Sequence, residues 1–234
     1  MINIALNKIL FIDIETVGIE SDWNSFTHKN KQLSEKFEDY QDWFKKRFPE
    51  CQDLPVDEMF KSKSALIPEF AKIVCVSACF VLPDGEIKTQ SFWGDDEKEL
   101  LTDVRDLLNK VHKMDFHLCG HNLKNFDIPM MAKRMVINGI LPPKIFPSYD
   151  TKPWEIKAID TKEVWQFGSF AAISSLELAC VSMGIESSKN TGVSGNEVHD
   201  TYYYKNGGLS NIVEYCEQDV KVLVKLIEKL KSLK

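Results

Sequence analysis

The stretch ILFIDIETVG, residues 9–18, is an apolar run that carries two acids, Asp13 and Glu15. Its β-branched and aromatic residues predict a strand at residues 8–14. Because alternate side chains leave the same face of a strand, the two carboxylates point in one direction. A bare carboxylate in an apolar interior is strongly unfavourable. The stretch therefore predicts that other parts of the chain supply a partner for these acids.

The sequence around this strand predicts one α/β domain, residues 1–234, with a mixed five-stranded sheet flanked by helices. An LPDG turn joins the second and third strands into an antiparallel pair. Asp127 is expected at a helix start, and Ser210 is expected to cap the last helix. We place the later strands at residues 71–82, 86–93, 115–120 and 158–167, and helices at 95–111, 175–184 and 210–234.

Residues 19–65 are polar and mixed in charge, and they predict a helical insertion that packs on the main body. Its sequence leaves open whether it covers a cleft or binds a protein partner. A helical repeat of aromatic residues on one face supports the helix prediction, with Trp43 beside the face. The residues on this face are Phe37, Tyr40, Phe44 and Phe48.

Composition limits the classes of function. The net charge of −6 argues against a protein that holds long duplexes by a basic surface, so any nucleic-acid contact should be local. The six cysteines form no CxxC pair, and most lie in apolar segments, which indicates reduced thiols and a cytoplasmic location. The first ten residues lack the features of a signal peptide, and no apolar run is long enough to span a membrane.

Two further acids lie where they can join Asp13 and Glu15. Asp127 follows a predicted strand, and Asp219 lies on the last helix, four residues after Tyr215 and on the same helical face. Like charges at about 4–5 Å repel by roughly 3–4 kcal/mol at an effective dielectric of about 20. Divalent cations reverse the sign of that interaction. A set of carboxylates favours Mg²⁺ or Mn²⁺ over Zn²⁺, since His and Cys are not expected in the cluster.

The motifs FIDIET, HNLKNFD and YCEQD resemble the three exonuclease motifs of the DEDD (DnaQ-like) 3′–5′ exonuclease superfamily. Tyr215 and Asp219 match the tyrosine branch, DEDDy, because the histidine branch needs a histidine where this chain has Glu214. The second motif is similar to the proofreading domain of family B DNA polymerases, and the resemblance spans about residues 8–226. It implies a stand-alone exonuclease with a ribonuclease H-like sheet.

The resemblance also implies a role for each matching residue. Asp13, Glu15 and Asp219 would bind one metal ion, and Asp13 and Asp127 would hold a second. Tyr215 would orient the attacking water. The implied substrate-binding residues are Thr16 at the terminal nucleotide, Asn122 and Phe126 at the penultimate nucleotide, and Lys189 as the candidate for the lysine between the second and third motifs.

Several of these residues also have ordinary structural interpretations. Asn122 could cap a helix, Phe126 could belong to the core, and Lys189 could be a plain loop lysine. For His121 and Asp160 we expect structural hydrogen bonds. We expect the tyrosines at 202–204 to pack against the last helix. Residues 124–157 hold six Lys and Arg against three acids, a surplus that is either ordinary surface or a guide for a strand.

The predicted function is metal-dependent removal of nucleoside 5′-monophosphates from a single-stranded 3′ end, with DNA proofreading or repair favoured over RNA. Two alternatives stay open. One is a 3′–5′ exoribonuclease, which contacts to the 2′-hydroxyl would distinguish. The other is a non-catalytic nucleic-acid-binding adaptor on the same fold, which loss of a carboxylate would indicate.

Overall fold

A computed structural model describes residues 2–169, 175–186 and 194–233, and five strands in it form one sheet in the order β3-β2-β1-β4-β5. β1 pairs antiparallel with β2 and parallel with β4; β3 extends the sheet antiparallel to β2, and β5 extends it parallel to β4. The predicted ribonuclease H-like mixed sheet is confirmed. The strands are β1 (Ile9–Gly18), β2 (Ala71–Val81), β3 (Ile87–Trp93), β4 (His117–Gly120) and β5 (Ala158–Asp160).

β1 and β5 differ most from the predicted strand lengths, and β4 begins at His117, two residues later than predicted. β1 runs four residues beyond the predicted end, because it stays paired with β2 as far as Gly18, opposite Ala71. The register shifts between Glu15 and Thr16, and such a bulge changes where the following side chains point. β5 ends at Asp160 rather than at residue 167, because the Asp160 side chain caps a helix that begins at once.

Helices cover both faces of the sheet. One face carries α5 (Glu97–Lys113) and α6 (Asp127–Ile137), and their apolar side chains bury Ile12 and Ile14 of β1. The other face carries the last helix, which buries Ile9 and Phe11 of the same strand. The helices that follow β5 along the chain are α7 (Thr161–Gln166), α8 (Leu176–Ser182), α9 (Val198–Tyr204) and α10 (Gly208–Ser232), the last helix.

The last helix begins earlier than predicted. Its N-cap is Gly207, in a left-handed conformation with φ 69°, and Ser210 lies inside the first turn. A Cβ atom at Gly208 would lie 1.8 Å from the Thr201 carbonyl oxygen. This close approach of α9 to α10 therefore requires glycine, and it decides where the helix starts.

The predicted helical insertion is present as α1 (Trp23–Lys29), α2 (Lys31–Asp39), α3 (Gln41–Arg47) and α4 (Val56–Lys63). It has an aromatic core in which Phe26 stacks on Phe60 with ring centroids 4.5 Å apart. Phe37 and Phe44 are buried, but Tyr40 is half exposed because the helix is interrupted there. The prediction of one continuous aromatic face is therefore wrong at Tyr40. No helix among the described residues is long and apolar enough to cross a membrane.

Candidate active site

The four acids predicted to act together come from three elements. Asp13 and Glu15 lie on β1, Asp127 is the first residue of α6, and Asp219 lies on α10. They meet because β1 is the central strand and both helices pack beside it. Three of the acids are nearly inaccessible: Glu15 is 8% exposed, Asp127 3% and Asp219 8%.

Burial and mutual repulsion shape the electrostatics of this group. The pKa of Asp13 is raised well above its ordinary value by burial and then by the negative charges of Asp219, Asp127 and Glu15. The pKa of Glu15 is raised by burial, then by Asp219, with smaller effects from Cys75 and Asp127. Burial also raises the pKa of Asp127 to about 7. The neighbours that influence Asp13 and Glu15 most are thus other acids.

Tyr215 and Asp219 stand side by side on α10, as their spacing predicts. The Tyr215 hydroxyl hydrogen bonds to the Asp219 side chain. Burial, and then the nearby acids, raise the pKa of Tyr215, so the phenol keeps its proton. The hydroxyl donates its one proton to Asp219, so its oxygen can accept a hydrogen bond from a water molecule.

Cys216 was not expected in this group, and the prediction that the cluster contains no cysteine is wrong. Its thiol lies 3.5 Å from the Asp13 carbonyl oxygen and 3.6 Å from Asp13 Oδ2, in a fully buried position. The donor atoms of Asp13, Glu15 and Cys216 lie within 4.8 Å of one another. The sequence contained a signal for this position, because Cys216 precedes Asp219 by three residues and therefore lies on the same side of the helix. All six cysteines are free and buried, as predicted.

Asp160 and His121 have the structural roles that the sequence predicts. Asp160 accepts hydrogen bonds from the backbone amides of Asn122 at 2.8 Å and Lys124 at 3.0 Å, besides capping α7. His121 Nδ1 lies 3.0 Å from the Thr161 hydroxyl. These contacts hold the turn between β4 and α6, which positions Asp127.

The expected substrate-binding residues occupy different environments. The Thr16 hydroxyl donates to the Ala65 carbonyl at 2.8 Å, so its proton is engaged within the protein. Asn122 has φ 63°, and its side-chain oxygen accepts from Lys162 Nζ at 3.1 Å. Phe126 is partly buried and packs on the core while it precedes Asp127. Lys189 lies outside the described residues.

The residues at this site fit a divalent cation. Their oxygen donors are hard ligands, and acids that raise one another's pKa when buried are stabilised when a cation joins them. The Cys216 thiol is a soft donor at the base of the group, but its high pKa keeps it protonated and therefore a weak ligand. The carboxylates are thus the natural ligands for Mg²⁺ or Mn²⁺.

A buried acid cluster with a tyrosine, built on a ribonuclease H-like sheet, is typical of metal-dependent nucleases. A family model described as a predicted 3′–5′ exonuclease related to the exonuclease domain of PolB matches residues 64–223. The chain belongs to this family of predicted 3′–5′ exonucleases. The matched region contains Asp127, Tyr215 and Asp219, while Asp13 and Glu15 lie before it.

The fold is similar to that of a family B DNA polymerase from the hyperthermophilic archaeon Pyrobaculum calidifontis, with a TM-score of 0.58 and 15% sequence identity. The match covers 95% of this chain and 24% of the polymerase chain, so this chain spans about a quarter of that protein's length. At this identity the similarity establishes the fold alone. A search of curated proteins found no significant match.

Proposed function

We propose that this protein removes nucleoside 5′-monophosphates from single-stranded 3′ ends by metal-dependent hydrolysis, and that DNA is preferred over RNA. Membership in the exonuclease family supports the reaction class. The observation that carries the proposal is that Asp13 and Glu15 lie together, close enough to Asp127 and Asp219 for the charges of those two acids to raise their pKa values.

Two divalent ions, Mg²⁺ or Mn²⁺, would be held by these four acids. Asp13, Glu15 and Asp219 would bind one, and Asp13 with Asp127 the other. When bound, such ions neutralise charge on the phosphate and ease the proton loss of the attacking water. The raised carboxyl pKas mean that binding releases protons, so metal affinity should increase with pH.

The protein's own groups would position the reactants. Asp219 fixes the Tyr215 hydroxyl, which would then orient the water for attack on the terminal phosphodiester. Phe126, at the helix start beside Asp127, would stack on the penultimate base, and Asn122 would hold its sugar. Thr16 would contact the terminal nucleotide through its backbone, because its hydroxyl proton is bonded to Ala65. Lys189 would act as the lysine that the family carries between the second and third motifs.

The preference for DNA rests on the similarity of the second motif to family B proofreading domains. We propose that residues 1–234 act as one domain in the cytoplasm, in proofreading or repair. The competing function is RNA trimming, which the same acids would also support. A non-catalytic adaptor is disfavoured because all four acids are present and three of them are buried.

The test uses a 5′-labelled single-stranded oligonucleotide, as DNA and as RNA, with Mg²⁺, Mn²⁺ or EDTA. A metal-dependent ladder that shortens from the 3′ end is expected, faster on DNA, and absent for Asp13→Ala. Asp103→Ala, an exposed acid on α5, is the matched control and should retain full activity. Cleavage in EDTA would exclude the mechanism, and faster cleavage of RNA would reassign the substrate.

A further inference from the structure

The helical insertion presents two aromatic side chains to solvent. Tyr40 is 53% exposed and Trp43 is 45% exposed, although the neighbouring Phe44 is fully buried. They are three residues apart around α3 and therefore lie on the same side. Trp43 rests edge-on against Phe44 at 5.3 Å, which holds the indole in place while one part of it stays accessible. Aromatic side chains exposed side by side can form part of a binding surface.

The two rings line a groove of about 350 Å³ between the insertion and the main body. The floor is apolar, and the far wall carries an ion pair between Lys133 Nζ and Glu69 at 3.2 Å. The lining residues are Tyr40, Trp43, Phe44, Ile67, Pro68, Glu69, Phe70 and Lys133. An apolar groove lined by exposed aromatic rings has the chemistry of a site for a nucleic-acid base.

Cations lie on the same side of α3. Lys46 and Arg47 follow Trp43 by three and four residues, and with Lys45 they make three cations against one acid, Asp42, in this helix. Lys46 and Arg47 are exposed, and the Arg47 guanidinium lies over the Phe48 ring, 5.6 Å from its centroid. The insertion as a whole holds ten acids against eight Lys and Arg, so these cations are a local surplus at the end of α3, where they suit a phosphate backbone better than an apolar protein surface.

Two segments carry residues of both the groove and the candidate site or its contacts. Ala65, which accepts the Thr16 hydroxyl, lies two residues before the groove residue Ile67. In the second segment, α6 begins with Asp127 and reaches the groove at Lys133, an axial distance of about 9 Å. A strand that ends at the acids would follow one of these two segments to reach the groove.

We propose that Tyr40, Trp43, Lys46 and Arg47, here called the α3 face, bind the single-stranded segment that lies 5′ of the nucleotide being removed. Bases would stack on the two rings, and the backbone phosphates would pair with the two cations. The insertion is then a substrate-holding element. This inference rests on the proposed function, because it extends the same substrate beyond the acid cluster.

Direct binding in EDTA provides the first test and does not depend on cleavage. The probe is a labelled single-stranded DNA of about twelve nucleotides, followed by fluorescence anisotropy. Tyr40→Ala and Trp43→Ala should each weaken binding about tenfold. Trp154→Ala is the matched control, an exposed tryptophan that precedes β5, and should bind like the wild type. Circular dichroism and melting curves establish that each variant is folded.

Salt dependence separates phosphate contacts from a purely structural role. Lys46→Gln should reduce the slope of log affinity against log salt by about 0.7, as expected for one lost single-strand contact. Lys110→Gln, on the exposed side of α5, should leave the slope unchanged. Equal affinities and equal slopes for all variants would overturn the proposal and leave the α3 face to a protein partner.

Substrate length distinguishes failure of this inference from failure of the proposed function. With Mg²⁺, Trp43→Ala should cleave a trinucleotide at the wild-type rate but lose about tenfold in kcat/KM on the longer strand. Equal loss on both lengths would mean that the variant disturbs the acid cluster, against the inference. If the wild type cleaves neither length, the proposed function fails, while the anisotropy result still decides whether the α3 face binds a strand.

Discussion

Within the described residues, two groups of buried charges are built in opposite ways. Glu97 at the start of α5 meets Arg134 of α6, with Glu97 Oε1 2.9 Å from Arg134 Nε. The same carboxylate accepts from the Ile73 amide at 2.7 Å and from Asn138 Nδ2 at 2.9 Å. Every lone pair direction is used, and the two side chains are both 9% exposed. The guanidinium of Arg134 therefore neutralises the buried carboxylate of Glu97.

The acid cluster does the reverse, because Asp13 faces mainly other acids. α6 belongs to both places: Asp127 at its start joins the cluster, and Arg134 near its end joins the pair. A buried charge whose partners belong to the protein holds structural elements together. Buried charges that repel one another indicate a functional site, where a bound ligand can neutralise them. The contrast supports a cation site at the cluster and predicts different responses to mutation.

The largest effect is expected at Asp13. Asp13→Ala should reduce exonuclease activity about a thousandfold or more, on the scale of losing a preorganised electrostatic contact. In EDTA the same variant should melt at a higher temperature than the wild type, because one repelling charge is gone. Activity is followed on labelled oligonucleotides and stability by calorimetry. Substantial retained activity would remove Asp13 from the proposed metal ligands.

Breaking the ion pair between Glu97 and Arg134 should lower the stability of the protein, whereas Asp13→Ala should raise it in EDTA. Arg134→Met leaves Glu97 buried without its cation and should destabilise the protein by about 3 kcal/mol in urea unfolding. The double variant Arg134→Met/Glu97→Met should lose less than the single one. Lys36→Met, which breaks an exposed pair with Asp39, is the control and should change stability by less than about 0.5 kcal/mol. If Arg134→Met lowers the stability only slightly, the ion pair is dispensable for the fold.

Stability should depend on pH through the cluster. Asp127 has a pKa of about 7 in the folded state against 3.8 ordinarily, so the folded protein binds more protons between these values. The metal-free protein should therefore lose stability as pH rises from about 4 to about 7, by an amount on the order of 1–3 kcal/mol, and level off above that. Millimolar Mn²⁺ at pH 8 should restore it. Flat stability in EDTA across this range would contradict the raised pKa of the buried Asp127 carboxyl.

Tyr215 should contribute less than the acids. Tyr215→Phe removes the hydroxyl beside Asp219 but keeps the ring, and activity should fall about tenfold, equivalent to about 1.4 kcal/mol. Metal binding, measured by titration calorimetry, should stay the same. A variant with full activity would show that the tyrosine only packs.

Cys216 should have the smallest effect. Cys216→Ala removes the thiol beside Asp13 and should cost below about 1 kcal/mol of stability, with activity reduced only a few-fold. Cys216→Ser restores a donor of similar size and should recover the activity in part. If both variants are as inactive as Asp13→Ala, the thiol belongs among the essential groups of the site.

Much of this molecule was predictable because its signals are local. Periodic apolar residues predicted the strands and helices. The i,i+2 spacing predicted that Asp13 and Glu15 lie on the same face of a strand, and the i,i+4 spacing predicted that Tyr215 and Asp219 lie on the same face of a helix. The order of the three motifs supported the family, which the family comparison confirms. The roles of the individual site residues stay predictions.

Other features depend on contacts between distant segments, and the sequence alone could not specify them. Pairing with β2 sets the length of β1, and the close approach of Gly208 to Thr201 decides where α10 begins. The packing of α10 on β1 brings the Cys216 thiol to Asp13. The break at Tyr40 turns a ring outward and opens the groove beside α3. The sequence by itself determined which residues carry the chemistry, since composition and spacing are encoded locally; the tertiary structure alone decided their neighbours, because burial and proximity arise only when the elements pack.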